Sequence, residues 1–390
     1  MLNEAIILGG CSTKMEDPDT KEEAFYMLPF KAVKCTLDKL SIDPKDLDFV
    51  LLASYDLIDG RMISNMYSGM SSGAFLKYES RVADDGTLAL AYANSLINSY
   101  EGELGLVVAY AAQEVDPLTI SLQTLDPFVY RPIGINYLAQ FALQASSYLN
   151  QFKIINKWDQ ISSIITFNDR KAAMLNPRAH IRGNVTIEDI EKDDYIIWPL
   201  KKSMIPPMTR GAVALLVGNE HAARERMLDA NVLIKSIRWY TDSYYFGLSK
   251  QLSMIPPLAR AAREAYNESG IIDPAKDIDF FEISDVTPAH YIMEIEALGL
   301  SKIGKGWQLI ESGDAGPDSS IIINRSGGTL STDPYPAGGL FKTYEAYLQL
   351  EGKSGSNQID KPIKRGLVHG YSYISGIMGQ THSVVILEKR

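Results

Sequence analysis

The chain repeats itself. Residues 32–54 read AVKCTLDKLSIDPKDLDFVLLAS, and residues 261–284 read AAREAYNESGIIDPAKDIDFFEIS. In both, an amphipathic helical stretch ends in a polar turn at Asp43-Pro44 or Asp273-Pro274, where proline cannot continue a helix. An acidic step up to Phe49 or Phe280 then enters a short apolar run. The copies align with only single-residue insertions or deletions, and their surroundings match too. Strand-length, β-branched runs at 5–8 and 232–237 precede them, and continuous apolar runs at 211–217 and 383–387 close each half. A helix-plus-strand pair also recurs, 88–98 before 106–109 and 340–350 before 366–369. Strand–helix–strand–helix–strand, occurring twice, predicts an α/β protein of two homologous βαβαβ-type halves with buried, largely parallel sheets. We expect the halves at 1–225 and 226–390, joined by the charged stretch between Gly218 and Asn231. Residues 113–205 are too long for a simple connection. They read as a lid-like excursion over the active-site face, with a helix at 135–148.

Composition narrows the function classes. The 390 residues suit two packed halves, and a formal net charge of −10 argues against a nucleic-acid partner. Lys201 with Lys202, and Lys361, Lys364 and Arg365, read as solvated surface charge. No stretch approaches the ~20 apolar residues that span a bilayer, and the first ten residues lack the features of a signal peptide. The expectation is a cytoplasmic protein with no membrane partner. Two cysteines, Cys11 and Cys35, leave no disulfide framework and no thiolate metal cluster. Cys35, on a helix with Ala32 and Leu40, reads as packing. His290 and Glu294 share a helical face that Glu296 leaves; two ligands are too few for a metal, so the stretch reads as a surface helix. No glycine loop for nucleotide phosphates is present.

Asn324-Arg325-Ser326-Gly327-Gly328, followed by Leu330-Ser331, resembles the Asn-Pro-Ser-Gly-Gly stretch of thiolases. Residues 168–179 resemble the loop-region run of the sterol-carrier-protein-type thiolases and their archaeal relatives. Residues 209–217 resemble the Asp-Gly-Ala-Ala-Ala strand, with Arg210 where that family has Asp. The resemblance covers essentially the whole chain. It implies the thiolase fold, a five-layer αβαβα arrangement with a lid, and a coenzyme A thioester bound between lid and core. It also implies an activated cysteine that takes the acyl group, with His and a second Cys handling protons.

At those places this chain departs from the family. The nucleophile loop reads Ala83-Asp84-Asp85-Gly86, with Ala83 at the nucleophile position and two aspartates that suit a helix start. The His-Asp-Cys-Phe-type loop corresponds to Ser284-Asp285-Val286-Thr287, and Gly-His-Pro to Thr332-Asp333-Pro334. The last glycine-rich loop, 370–379, is rich in Tyr and Ser and has no Cys. The candidate catalytic residues are therefore Asp333, Tyr335, Ser284, Asp285 and Tyr371, with Asp84, Asp85 and Tyr373 on the same loops. In a dry cleft such acids and phenols can serve as general acid and base with no covalent intermediate. Asn324, Ser326, Gly327, Gly328 and His369 are the candidate contacts to coenzyme A.

Two functions follow from the resemblance. One is a cysteine-independent lyase of aldolase type, cleaving a hydroxyacyl-CoA beside a small acyl-CoA-binding partner with an OB fold and zinc ribbon. The other is a non-catalytic acyl-CoA-binding or scaffold subunit of a thiolase-type complex. The family also implies a homodimer, or a dimer of dimers, formed through the strand at 75–82. An open pocket at the polar cluster would speak for the enzyme, and a cleft filled by side chains for the scaffold.

Overall fold

The computed structural model describes residues 4–19, 23–244, 251–373, 376 and 380–390. Its strands are β1 (Ile6–Ser12), β2 (Phe49–Ala53), β3 (Tyr78–Val82), β4 (Leu104–Ala111), β5 (Tyr195–Ile197), β6 (Leu200–Lys201), β7 (Gly211–Gly218), β8 (Val232–Thr241), β9 (Phe280–Glu282), β10 (Ala315–Gly316), β11 (Ile321–Ile323), β12 (Arg365–Ser372) and β13 (Thr381–Lys389). The longer helices are α1 (Met27–Leu40), α2 (Gly86–Asn98), α3 (Tyr137–Phe152), α4 (Trp158–Leu175), α5 (Pro256–Ser269), α6 (Pro288–Ala297) and α7 (Gly338–Glu351).

Except for the β5–β6 hairpin, the strands form one 11-stranded sheet in the order β10-β11-β9-β12-β13-β8-β1-β7-β4-β2-β3. The order is nearly a mirror about the β8–β1 contact, where Ile6 faces Leu233 and Ile7 faces Val232. Walking outward, β1-β7-β4-β2-β3 corresponds to β8-β13-β12-β9-β11. The repeated sequence thus becomes a repeated topology. Direction differs from the expectation of largely parallel sheets. β2 pairs in parallel with β3 and β4, but β7 runs antiparallel to both β4 and β1. In the other half, β9 is parallel to β11 and β12, whereas β13 is antiparallel to β12 and β8. The reason is physical: continuous apolar runs report burial on both faces, and β7 and β13 are covered on both faces whichever way they run.

The covering produces the layers. α1 packs on β1, β4 and β7 on one outside, while α5 packs on β8 and β13 on the other. Between the halves lie α2 and α7, which touch each other and strands of both halves. Every residue of α7 from Gly339 to Leu350 is buried, as expected of a helix surrounded by protein. Three apolar clusters fill the spaces between layers, one of them shared by strands of both halves around α2 and α7. Full burial of each Leu, Ile or Val there contributes about 2 kcal/mol.

The excursion forms α3 and α4, and α3 begins at Tyr137, capped by the Asn136 side chain on the Ala139 N–H. Both helices lie against α6. This overturns the surface-helix reading, for His290 is 1% and Glu294 0% exposed beneath them. Lys201 is likewise internal, with its ammonium 2.9 Å from an Asp159 oxygen. The cysteines are corrected too. Cys11 at the end of β1 and Cys35 on α1 are bonded, with Cα atoms 5.9 Å apart. The two lie 24 residues apart, and only the return of α1 over β1 brings them together. No helix among the described residues is long and apolar enough to cross a membrane.

Candidate active site

The site begins at the junction of the two central helices. Asp85 caps α2, its Oδ1 accepting from the Thr87 N–H at 3.0 Å and from the Thr87 hydroxyl at 2.6 Å. Its Oδ2 accepts from the Gly339 N–H of α7 at 2.9 Å. One carboxylate therefore joins the N-termini of helices from both halves, where the helix dipoles favour negative charge. Gly339 is required there, since a Cβ would lie 2.0 Å from Asp85 Oδ1. Ala83, two residues earlier, is exposed. Half-buried Asp84 is pushed up to about 6, chiefly by desolvation.

Behind this junction the expected loops converge. Asp85, Ser284, Val286, Thr329, Asp333, Tyr335, Lys342, Tyr371 and Tyr373 surround one cavity of about 10 Å³. That is room for about one water molecule. Asp333 is buried, and its carboxylate accepts a short hydrogen bond from the Tyr373 hydroxyl. Burial pushes the Asp333 carboxyl up to about 7, against the opposing effects of that bond and of the Lys342 ammonium. The Tyr335 hydroxyl lies 2.9 Å from Ser372 Oγ, and its ring packs between Tyr55 and Tyr373. Tyr371 hydrogen-bonds Gln380 and stacks on His382 with ring centres 4.2 Å apart. Ser284 Oγ donates to the His369 carbonyl at 2.7 Å.

Four of the five candidate catalytic residues thus line the cavity, and Asp285 does not. Its Oδ1 accepts from the Thr329 N–H at 2.7 Å, and it lies beside Asp169 of α4. Burial first, and then Asp285, raise the Asp169 carboxyl well above the usual range. The five candidate coenzyme A contacts are all internal. Asn324 Oδ1 accepts from the Ile283 N–H at 2.8 Å, and Ser326 donates twice to Glu282. Glu282, fully buried, is itself pushed up to about 7 by that burial. Gly327 abuts α4 so closely that a Cβ would stand 2.6 Å from Ala173 Cβ. Gly328, with φ +65°, passes between the Asp169 and Asp285 carboxyls. His369 sits between Glu294, 3.5 Å from its Nδ1, and His382, 2.9 Å from its Nε2. The Asn324–Gly328 stretch is thus a brace between the sheet and the excursion. Of the last glycine-rich loop, residues 374–375 and 377–379 lie outside the described residues.

Lys342 was missed by the sequence reading. It is 3% exposed, donates to Thr329 Oγ1 at 2.7 Å, and is a positive charge facing the Asp85 and Asp333 side of the cavity. The available signal was a lysine, with a glutamate three residues later, in a largely apolar helical run, Gly338 to Leu350. The two cysteines of the chain are bonded to each other and neither lines this cavity.

A second, larger cavity of about 790 Å³ opens at the end of β1. The segment 208–210 separates the two. Met208 bridges to Asp333, the Thr209 N–H donates to the Asp333 carbonyl at 2.9 Å, and Arg210 lines the larger cavity. Arg210 is 6% exposed and donates to the carbonyls of Ala112 and Glu23.

Residues 241–389 match the family described as thiolase C-terminal domain-like. The acetyl-CoA acetyltransferase of Methanothermobacter thermautotrophicus is 25% identical over 356 residues, covering 85% of this chain and 90% of its own. Along most of its length the chain is similar to thiolase-superfamily proteins. Solved structures agree at the level of fold. The Ltp2-ChsH2(DUF35) aldolase superposes with a TM-score of 0.81 at 20% identity, over 100% of this chain and 99% of that one. A monomeric SCP2-thiolase like protein type 1 from Mycobacterium smegmatis gives 0.75 at 15% identity, over 100% and 77%. The small cavity described above is lined by acids, phenols, hydroxyls and one lysine, with neither cysteine among its lining residues.

Proposed function

We propose that this chain is an acyl-CoA-directed thiolase-superfamily protein that performs no cysteine acyl transfer and serves as a non-catalytic, binding or scaffold subunit. One observation carries the reading. The place where the catalytic loops converge encloses about 10 Å³, whereas small-molecule sites occupy about 300–1,000 Å³. Asp85, Ser284 and Tyr335 spend their polar atoms on holding helices and strands together. In this reading Asn324, Ser326, Gly327, Gly328 and His369 are braces rather than coenzyme A contacts. The test combines native mass spectrometry for a bound coenzyme A thioester with a turnover panel of β-hydroxyacyl- and β-ketoacyl-CoA thioesters. No turnover is the expected result, and a bound thioester, if found, selects the binding role over the scaffold role. Turnover by the chain, alone or with a small OB-fold, zinc-ribbon partner, overturns it.

A lyase of aldolase type is the second reading, favoured by the carboxyl of Asp333. Held near 7 and bonded to Tyr373, it suits removal of a hydroxyl proton at neutral pH once the cavity has opened. The fold likeness to the Ltp2-ChsH2(DUF35) aldolase suggests the same experiment. If the panel shows turnover, Asp333→Asn should abolish it.

The homodimer belongs to the same proposal. β3 is an edge strand, and Met66, Met70, Phe75, Leu76 and Tyr78 beside it are exposed. An uncovered apolar edge of this kind is normally paired or hidden. The division at 225/226 and a cytoplasmic location complete the proposal. Light scattering checks the dimer; a monomer at micromolar concentration removes it.

A further inference from the structure

The large cavity contains a feature that the thiolase reading does not use. Its wall includes Cys35, which is exposed, while its bonded partner Cys11 is 6% exposed and does not line the cavity. One sulfur of the bond is therefore presented to solvent and the other is shielded. Basic side chains share the helix face and the cavity wall with Cys35. Lys31 and Lys39 lie one turn before and after Cys35 on the same face of α1. Lys39 reaches toward the Gly10 carbonyl at 3.5 Å, one residue from Cys11. Lys353 and Arg178 stand near enough to Lys39 to depress its ammonium, after desolvation. Lys14, His180 and Arg210 line the cavity itself. Acidic groups are present too: Glu16, Asp17 and Glu23 line the same cavity, and Glu23 is paired with Lys31 at 2.6 Å.

We propose that the Cys11–Cys35 bond is a thiol–disulfide exchange site at which a small anionic thiol enters the large cavity and attacks Cys35. The volume of about 790 Å³ lies within the range of small-molecule sites. In the step, the incoming thiolate sulfur bonds to Cys35 Sγ. The bond between Cys35 and Cys11 breaks, its electron pair goes to Cys11 Sγ, and that thiolate takes a proton from water. The thiol is the sole co-reactant. Attack on Cys35 follows from access, and preference for an anionic thiol follows from the lysines on either side. Coenzyme A and glutathione share this chemistry. The inference does not require the chain to bind acyl-CoA, since glutathione alone would satisfy it.

The experiment uses the full chain purified without reductant. Acid quenching, denaturation and alkylation, followed by peptide mass mapping, should first find Cys11 linked to Cys35. Separate incubations with coenzyme A, glutathione and neutral 2-mercaptoethanol are then compared at equal thiolate concentration. A mixed disulfide on Cys35 with Cys11 alkylated, formed several-fold faster by the anionic thiols, supports the proposal. The faster of coenzyme A and glutathione identifies the source. The advantage should shrink in high salt, and in Lys31→Gln and Lys39→Gln variants. Two free thiols in the isolated protein overturn it, as do an adduct on Cys11 or equal rates for charged and neutral thiols. The salt series on the unaltered chain keeps the test decisive if a variant fails to fold.

Discussion

The two cavities on either side of segment 208–210 are built on opposite plans. The one at the converging loops holds about 10 Å³ behind tyrosines, aspartates and a buried lysine. Its neighbour holds about 790 Å³ among solvated lysines, acids and a disulfide sulfur. In the small cavity nearly every polar atom is spent on its neighbours, and the aromatic rings fill the space a substrate would need. In the large one, most charged groups are exposed, Lys31 pairs with Glu23, and buried Arg210 is held by two backbone carbonyls. Convergence and capacity have come apart: the candidate loops meet at the small cavity, but the room lies elsewhere.

Packing should separate them most sharply. Tyr335 is 1% exposed between two rings, so Tyr335→Ala should cost about 4 kcal/mol in urea unfolding, as large buried aromatics do. Lys14→Ala at the rim of the large cavity should stay within about 0.5 kcal/mol. A Tyr335→Ala loss below about 1 kcal/mol would show that the small cavity is not a packed core. Next in size is the disulfide beside the large cavity, which closes a loop with a separation of 24 residues. Opening it with a reductant should lower stability by about 3 kcal/mol. Equal unfolding curves with and without dithiothreitol would contradict that.

Much of this contrast was legible beforehand, and part was not. The repeat at 32–54 and 261–284 located both halves, because helix ends at Asp-Pro and the apolar runs after them are local signals. The convergence of Ser284, Asp333, Tyr335 and Tyr371 followed from loop resemblance and was met by the structure. What failed depends on contacts distant in sequence. Burial of His290 and Glu294 comes from α3 and α4 lying over α6, and the Cys11–Cys35 bond from α1 returning over β1. For Asn324 and Ser326 the motif gives residue types but not what lies behind them. Here Glu282, Ala173 and Ile283 do.

The acids of the small cavity supply a pH test. Asp333 in the fold is raised to about 7 by burial, so between about pH 4 and 7 the folded chain holds a proton that the unfolded chain has lost. Its contribution is fully present below pH 4 and disappears as pH rises through 7. Glu282, near 7, and Asp59 and Asp84, near 6, act in the same direction. Stability should therefore fall from pH 4.5 to 7.5, and Asp333→Asn should reduce that fall by at least about 1 kcal/mol. An unchanged slope in Asp333→Asn would mean that the carboxyl is already ionised in the fold.

The smallest effect on stability has the most direct bearing on function. Ala83 is exposed at the head of α2, while Asp85 beside it is committed to capping. Ala83→Cys should therefore change stability by no more than about 0.5 kcal/mol and give a thiol that iodoacetamide alkylates readily. Because residue 83 lies outside the lining of a cavity of only about 10 Å³, that thiol should form no acyl-enzyme from acetyl-CoA in intact-mass measurements. If an acetyl adduct does appear on residue 83, restoring one sulfur has restored acyl transfer. The small cavity would then have to open in solution, and the scaffold reading would give way to an enzyme reading.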